Sequence, residues 1–380
     1  MDITINKSVA TGSVQAPHSK SMAHRLLICS NLAGGSKVSG LEYSEDIKTT
    51  ENCLLALENG QTLYCKESGS TLRFLIPLCL TKKRKITICT GEKLMSRGLS
   101  VYEDICRQKG LYFELTRDSV TVCGGLESGK FYLRGDVSSQ FISGLLFVLP
   151  TLQGNSEIIL TTELESAPYV HLTLKALSLF GIEVCFENNT FKIKGGQTYK
   201  KCDVSVEGDY SNAAFFDALN YMGHNVKVTG LDIESLQGDR VYKEYFEKLK
   251  NEKATLDVSF CPDLAPVLMA VAAANNGCRL MGTRRLKIKE SDRGEAMKKE
   301  LEKFGVSVTV YENEIEVGCG IKPPQVILSG HNDHRIVMAL AILCTVTGGE
   351  IEGAEAVNKS FPDFFERLEQ LGTKVKKSET

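Results

Sequence analysis

The stretch Pro17–Arg25, PHSKSMAHR, passes from a short polar loop into an apolar helical pattern that ends at Gly34–Gly35. The first turn of a helix leaves backbone N–H groups unpaired and carries the positive end of the helix dipole. Lys20 and Arg25 add two cations to this helix start, which makes it suited to bind an anion such as phosphate. Capping alone explains the serines of the stretch. The interpretation as a phosphate site gains weight only because other parts of the chain repeat the same arrangement.

Length and composition indicate an ordinary globular protein. The chain has 380 residues, enough for two or three domains, and its net charge of −2 favours neither a nucleic-acid nor an anionic membrane partner. The 13 cysteines are scattered and form no C-x-x-C pair, which is typical of reduced thiols rather than of disulfides or a zinc site. No signal peptide or membrane-spanning run is recognisable. We therefore expect a cytoplasmic protein, with a loose tail only at Lys374–Thr380.

One pattern occurs about six times along the chain. An amphipathic helix ends at a glycine and is followed by two alternating strands, most clearly after Gly110, Gly181 and Gly305. Between these copies lie more apolar helices, most of them followed by a short strand. The six apolar helices are predicted at Ser21–Ala33, Ser70–Leu80, Ser139–Leu152, Ser211–Met222, Asp263–Ala274 and Asn332–Val346. The pattern predicts a mixed α/β (α+β) protein with two domains of three units each.

The starts of the six apolar helices carry more than capping residues. Capping does not require Lys20, Gln140 or Arg335 at these positions, nor the basic residues that lie one element away. Those basic residues are Arg97, Lys289, Arg293 and Lys359. If the helix starts converge on one cleft, the cleft would bind a multiply anionic ligand, with phosphate as the first candidate.

The segment Lys289–Arg293, KESDR, places the carboxylate Glu290 between two cations. Proton transfer beside an anionic substrate would need such an arrangement. The alternative is a solvated first helical turn with a capping serine. The chain contains no zinc-protease motif, Walker lysine loop, dinucleotide-binding glycine motif, kinase motif set or G-x-S-x-G serine motif.

Taken in order, these motifs resemble the EPSP synthase (3-phosphoshikimate 1-carboxyvinyltransferase) family of enolpyruvyl transferases, from Pro17 to Phe365. Each motif is short, and the specificity lies in their ordered set. The set comprises Ser19-Lys20-Ser21 with Arg25, Gly69-Ser70 with Arg73, Arg97, Val137–Phe141, Glu165–Tyr169, Val206–Asp209, Asp263, Lys289–Arg293, Asn332–Arg335 and Lys359–Asp363.

The resemblance implies a two-domain inverse α/β barrel of six β-α-β-α-β-β units, with helices buried inside and sheets outside. One domain would comprise residues 1–17 and 219–380 and the other residues 18–218, with the active site in the cleft between them. The implied reaction transfers the enolpyruvyl group of phosphoenolpyruvate (PEP) to the 5-hydroxyl of shikimate 3-phosphate. It proceeds through a tetrahedral intermediate, releases phosphate and belongs to the shikimate pathway. The family also implies a monomer without a metal or organic cofactor.

The resemblance further assigns roles to single residues. It places shikimate 3-phosphate against Lys20, Ser21, Arg25, Ser138, Ser139, Gln140, Ser166, Tyr169, Asp263 and Lys289. It places PEP against Lys20, Gly69, Arg97, Gln140, Arg293, Arg335 and Lys359. It makes Asp263 and Glu290 the proton-transfer groups, with Lys20 and Lys359 close to the reacting carbons.

Three positions depart from the family pattern. Glu67 stands where asparagine is common, Gly98 replaces the proline that usually follows Arg97, and His18 replaces a small residue. A carboxylate near the PEP phosphate would repel it unless the side chain turns away or pairs with a cation. The sequence therefore predicts a weakened PEP site.

Two alternatives compete with this interpretation. A UDP-N-acetylglucosamine enolpyruvyl transferase would be expected to lack the Lys289–Arg293 set and to carry a reactive cysteine on a flexible loop. A non-catalytic phosphosugar-binding relative would have no need to retain both Asp263 and Glu290.

Overall fold

The computed structural model describes residues 1–378, and the chain divides into two compact units. The first unit contains Met1–Pro17 and the chain from Glu207 onward, and the second contains His18–Val206. Each unit has its own hydrophobic core, built from a separate set of buried residues.

Strands β1 to β20 follow in chain order within the described residues. They are β1 Asp2–Asn6, β2 Thr11–Gln15, β3 Val38–Ser39, β4 Leu63–Tyr64, β5 Ile86–Cys89, β6 Tyr112–Leu115, β7 Ser119–Cys123, β8 Lys130–Leu133, β9 Ser156–Leu160, β10 Val184–Glu187, β11 Thr190–Ile193, β12 Val204–Ser205, β13 Asn225–Thr229, β14 Ala254–Asp257, β15 Cys278–Met281, β16 Val308–Val310, β17 Glu314–Val317, β18 Leu328–Ser329, β19 Gly349–Glu352 and β20 Lys374–Ser378.

Helices α1 to α13 lie between these strands. They are α1 Lys20–Leu32, α2 Glu45–Glu58, α3 Gly69–Leu80, α4 Glu92–Ser96, α5 Ser100–Lys109, α6 Ser139–Val148, α7 Ala167–Leu179, α8 Tyr210–Leu219, α9 Tyr242–Asn251, α10 Ala265–Ala274, α11 Arg293–Lys303, α12 His334–Thr347 and α13 Phe364–Gln370. Short 3-10 segments occur at Leu149–Thr151, Asn220–Met222, Gly238–Val241, Pro262–Leu264, Arg284–Ile288 and Ala354–Lys359.

Three four-stranded sheets share one topology. In each, a parallel pair is extended by two antiparallel strands, in the orders β4-β5-β7-β6, β8-β9-β11-β10 and β14-β15-β17-β16. A fourth sheet, β18-β19-β1-β20, follows the same rule but takes β1 from the start of the chain. The parallel pairs β3-β12 and β2-β13 complete the sheets. The hairpins predicted after Gly110, Gly181 and Gly305 are confirmed.

Gly110 shows the physical reason why a glycine ends these amphipathic helices. It caps α5 at φ 65°, in the left-handed region that side chains disfavour, and the chain then turns into β6. The helix period of the sequence changes to the strand period at this residue.

The six predicted apolar helices are present as α1, α3, α6, α8, α10 and α12, and most of their residues are buried. Helices α10 and α12 are buried on nearly every face, so they read as continuous apolar runs rather than amphipathic stripes. Asp263 does not start a helix as predicted. It lies in the 3-10 segment Pro262–Leu264, and α10 begins at Ala265.

The predicted position of the second chain crossing between the units is also wrong. The second crossing between the units lies between Val206 and Glu207, not at 218/219, because α8 packs into the core of the first unit. Its Phe216 ring contacts the rings of Phe361 and Phe364 there.

The predicted loose tail is wrong as well, because Lys374–Ser378 forms β20, paired with β1. Glu379 and Thr380 lie outside the described residues. Within the described part of the chain, no helix combines the length and the hydropathy that crossing a membrane requires. All thirteen cysteines are free thiols.

Candidate active site

The first unit carries a buried charge cluster centred on Arg293, the first residue of α11. The guanidinium is 1% exposed and binds three carboxylates, one from three residues earlier and two from other segments of the chain. Nη1 donates to Asp263 Oδ1 at 2.7 Å, Nη2 to Glu290 Oε2 at 2.7 Å and Nε to Asp333 Oδ2 at 2.9 Å. Ser291 Oγ also donates to Asp333 Oδ2, at 2.9 Å. Charge-assisted bonds of this kind are the strong ones, and together they fix the orientation of all three carboxylates.

Asp263 contacts two further cations. Lys289 Nζ lies 3.2 Å from its Oδ1 and Arg335 Nη2 lies 3.3 Å from its Oδ2. Burial alone would raise the pKa of Asp263, but the charges of Arg335, Lys289 and Arg293 outweigh it and hold the pKa well below its usual value. Burial also lowers the pKa of Lys289. Asp263 is therefore an ionised hydrogen-bond acceptor at neutral pH.

Lys359 ends the 3-10 segment Ala354–Lys359. Its Nζ donates to both the backbone oxygen and Oδ1 of Asn332, each at 2.7 Å. Asn332 and His331 have φ 52° and 48°, in the left-handed region. Such residues cost about 1–3 kcal/mol each and cluster at functional sites. Asp333, which follows them, is the N-cap of α12 and accepts a bond from the backbone N–H of Arg335.

Asp239 is a neighbour that the sequence did not point to. It lies in the 3-10 segment Gly238–Val241 and is 4% exposed. Burial, reinforced by the negative charge of Asp263 and opposed by Arg335, raises the pKa of Asp239 to about 7. A lone aspartate in the loop sequence Gln237–Asp239 carries no signal of such an environment, because its surroundings come from other segments.

In the second unit, the opening stretch forms the start of α1 as predicted. Ser19 is the N-cap, and Lys20 Nζ binds Asp46 Oδ2 of α2 at 2.8 Å. Arg25 is 3% exposed, and burial lowers its pKa to about 10, so it stays charged at neutral pH. Its guanidinium donates to Thr173 Oγ1 and to the backbone oxygens of Ser21 and Tyr169, and its Cζ lies 5.2 Å from the centre of the Phe74 ring.

Arg25 thus links α1 to α7 and joins the predicted residues Ser21 and Tyr169 through their backbone. Its guanidinium is engaged inside the unit rather than presented as an open cation. These contacts favour a role for Arg25 in positioning neighbouring residues over a role in binding the substrate directly.

A second cationic region lies at the start of α3. A side-chain carbon at Gly69, the first residue of α3, would lie 3.0 Å from Arg73 Nη1 and 3.2 Å from Arg97 Nη1. Arg73 Nη1 donates to Gln140 Oε1 at 2.9 Å, and Gln140 Nε2 donates to Ser70 Oγ at 3.0 Å. Two guanidinium groups next to a helix N-terminus form a strong anion site. Arg73 belongs to the quoted motif, but the sequence interpretation assigned it no role.

Three further predicted residues, Ser138, Ser139 and Ser166, lie at the starts of two helices of the second unit. Ser138 is the N-cap of α6 and accepts a bond from the backbone N–H of Gln140 at 3.3 Å, and Ser139 is the buried first residue of α6. Ser166 occupies the N-cap position of α7 at φ 54°, without a side-chain capping bond, and is 1% exposed. A buried serine in the left-handed region is rare and indicates a conformation that the surroundings enforce.

The sequence model of EPSP synthase (3-phosphoshikimate 1-carboxyvinyltransferase) matches residues 56–368. The chain belongs to the EPSP synthase family. The 3-phosphoshikimate 1-carboxyvinyltransferase of Clostridium kluyveri is 39% identical, with 98% of each chain covered. That of Clostridium botulinum (strain Alaska E43 / Type E3) is 40% identical, with 95% of each chain covered.

Two solved structures share the fold. An EPSP synthase from Acinetobacter baumannii superposes with a TM-score of 0.79 at 21% identity, covering 100% of both chains. The enolpyruvyl transferase NikO from Streptomyces tendae superposes with a TM-score of 0.77 at 12% identity, covering 100% of this chain and 99% of the other. At these identities the likeness establishes the mixed helix and strand architecture and nothing about substrates.

The structure shows the surroundings of the three residues that depart from the family pattern. The Glu67 carboxylate packs against Gly91, where a side-chain carbon would lie only 1.6 Å from Oε1. Gly98 has φ 78°, a conformation that proline, with its φ fixed near −65°, does not adopt. His18 packs against Gly40.

Proposed function

We propose that this protein transfers the enolpyruvyl group of PEP to the 5-hydroxyl of shikimate 3-phosphate and releases phosphate. The observation that carries the proposal is the cluster in which Arg293 binds Asp263 and Glu290, with Lys289 and Arg335 beside them. It combines two carboxylates able to handle protons with cations able to bind anionic substrates. Membership in the EPSP synthase family supports the same reaction.

Two residue sets divide the substrate contacts in this proposal. Shikimate 3-phosphate is bound by Lys20, Ser21, Ser138, Ser139, Gln140, Ser166, Tyr169, Asp263 and Lys289, with Arg25 orienting Ser21 and Tyr169. PEP is bound by Lys20, Gly69, Arg97, Gln140, Arg293, Arg335 and Lys359, and Arg73 joins them because it lies against Gly69 and Gln140.

The proton steps follow from the charges. Asp263 is held as a carboxylate, so it accepts a hydrogen bond from the attacking hydroxyl and takes its proton as the new C–O bond forms. Glu290, in its protonated form, delivers a proton to the methylene carbon of PEP and takes one back from the resulting methyl group when the tetrahedral intermediate loses phosphate. The departing phosphate takes up the proton that Asp263 accepted, which returns both carboxyl groups to their starting states. Lys20 and Lys359 stabilise the negative charge near the reacting carbons.

The two units of the chain form, in this proposal, the two domains of an inverse α/β barrel, and both residue sets are needed for turnover. The shared topology of the four-stranded sheets supports the repeat of β-α-β-α-β-β units. We propose a cytoplasmic monomer that requires no metal or organic cofactor.

Incubation of the protein with shikimate 3-phosphate and PEP in EDTA, with an assay of phosphate release, tests the function. Release that needs both substrates and is lost in Glu290→Gln and Asp263→Asn is expected. Release with UDP-N-acetylglucosamine instead would identify the related transferase activity. Tight binding of shikimate 3-phosphate without any release would leave a binding protein.

A further inference from the structure

The turn that precedes α12 is held in an unfavourable backbone conformation. His331 and Asn332 are adjacent, neither is glycine, and both have a left-handed φ, at 48° and 52°. Asparagine and histidine occur in this region more often than most other non-glycine residues, but each is still disfavoured there. Two such residues in succession persist only where surrounding contacts define them.

The contact that defines this turn comes from Glu300 on α11. Its side chain is 1% exposed, and Oε1 lies 2.8 Å from His331 Nε2. The other oxygen, Oε2, accepts the backbone N–H of Ser329 at 2.9 Å and a bond from Lys303 Nζ at 2.9 Å. The carboxylate therefore binds both the first residue of the turn, His331, and Ser329, two residues before it.

The His331–Asn332 turn and the residue after it also contact residues of the proposed active site. Asn332 accepts both bonds from Lys359 Nζ, through its backbone oxygen and its Oδ1. Asp333, the next residue, accepts bonds from Arg293 Nε and Ser291 Oγ. Helix α11 contacts this segment twice, through Arg293 near its start and through Glu300 seven residues later. Both residues lie on one face of the helix, since seven residues are close to two turns.

We infer that the Glu300–His331 pair is a positioning device that holds the His331–Asn332 turn so that Lys359 and Asp333 stand correctly for the reaction. The inference rests on the proposed function for its consequence in turnover, but the geometry it describes can be measured separately. Neither Glu300 nor His331 contacts Asp263 or Glu290 in the bonds described above, so both act through other residues.

Four variants test the inference by steady-state kinetics. His331→Ala and Glu300→Gln are expected to lower kcat about 10- to 100-fold and to raise the KM for PEP, because small displacements of a charged group have effects of this size. His331→Gly adopts the left-handed conformation without strain but lacks the contact to Glu300. It is expected to be impaired as well, which separates the contact from the backbone conformation. His331→Gln retains a donor able to reach Glu300 and is expected to recover part of kcat.

Lys303→Ala is the matched control, because it removes another partner of Glu300 without touching the turn. It is expected to keep kcat and KM within about threefold of the unaltered protein. Activities are compared at a temperature where thermal melts show every variant folded. Unaltered kinetics in His331→Ala and His331→Gly would overturn the inference, as would an equal loss in Lys303→Ala.

A second measurement does not depend on turnover. The rate at which an amine-reactive reagent modifies Lys359 is measured by mass spectrometry of the peptide that contains Lys359. The unaltered protein and His331→Ala are compared. Release of the turn is expected to raise this rate several-fold relative to Lys377 as an exposed reference. An unchanged rate overturns the inference. An inactive unaltered protein with a raised modification rate in the variant would contradict the proposed function and still support the positioning role.

Discussion

Asp263 Oδ1 lies 2.7 Å from Arg293 Nη1, and the two residues are thirty positions apart in the chain. The pair joins the segment before α10 to the start of α11, and it places a carboxylate that stays ionised beside a cation that is almost completely buried.

Replacement of Asp263 by alanine is expected to abolish phosphate release and to destabilise the first unit by a few kcal/mol, up to about 3–5 kcal/mol, since Lys289 and the buried Arg293 would lose a carboxylate partner. The isosteric Asp263→Asn keeps the shape and removes the charge. Its loss of activity with a smaller loss of melting temperature would assign the charge to chemistry. Full activity in Asp263→Asn would contradict the proposed role.

The pH dependence of Asp263 has a definite sign. Its folded pKa lies below the unfolded value of about 3.9, so its contribution to stability is fully present above that value and is lost as pH falls through the folded pKa. Urea unfolding between pH 3 and 7 should show a steeper acid loss in the unaltered protein than in Asp263→Asn. Parallel curves would contradict this assignment.

The pH dependence of stability that Asp239 contributes has the opposite sign. Its folded pKa of about 7 lies above the unfolded value of about 3.9, so the folded state holds the proton more tightly, and stability falls as pH rises between the two values. Asp239→Asn removes this dependence. Its melting temperature relative to the unaltered protein should therefore be several degrees more favourable at pH 8 than at pH 4. A constant difference across this range would show that Asp239 does not titrate there.

Gly69→Ala is expected to raise the KM for PEP at least tenfold, because the new methyl group would displace Arg73 Nη1 and Arg97 Nη1. Both are ends of flexible side chains, so the fold should tolerate the change. Gly125→Ala is the control, since nothing lies within 4 Å of a side-chain carbon there. An unchanged KM in Gly69→Ala would remove this position from the PEP site.

Glu67 tests the prediction of a weakened PEP site. Glu67→Asn should lower the KM for PEP if the carboxylate repels the substrate, by the loss of a like charge. The packing of Glu67 against Gly91 is one way in which the side chain could avoid the phosphate. If Glu67→Asn leaves the KM unchanged, and that KM lies in the range normal for the family, the prediction is wrong.

Much of the architecture followed from periodicity. Six helices bury most of their residues, and this burial favours apolar residues, most completely in α10 and α12, so the helices can be recognised in the sequence without knowledge of their neighbours. The hairpins after Gly110, Gly181 and Gly305 followed from glycine's freedom at helix ends and from strand alternation. The prediction of a loose C-terminal tail was wrong because β20 pairs with β1, a strand at the other end of the chain.

The candidate residues, and the family they resemble, could be read from the sequence by itself, because helix starts, cations and ordered motifs are local. Only the tertiary structure decided how those residues are paired. In the structure, Arg293 binds Asp263, Glu290 and Asp333. Arg73 lies beside Gly69, and His331 contacts Glu300. Asp239 is buried near Asp263 and Arg335. The reason is physical: burial and the electric field at a side chain are sums over groups from distant segments, and no local pattern contains them.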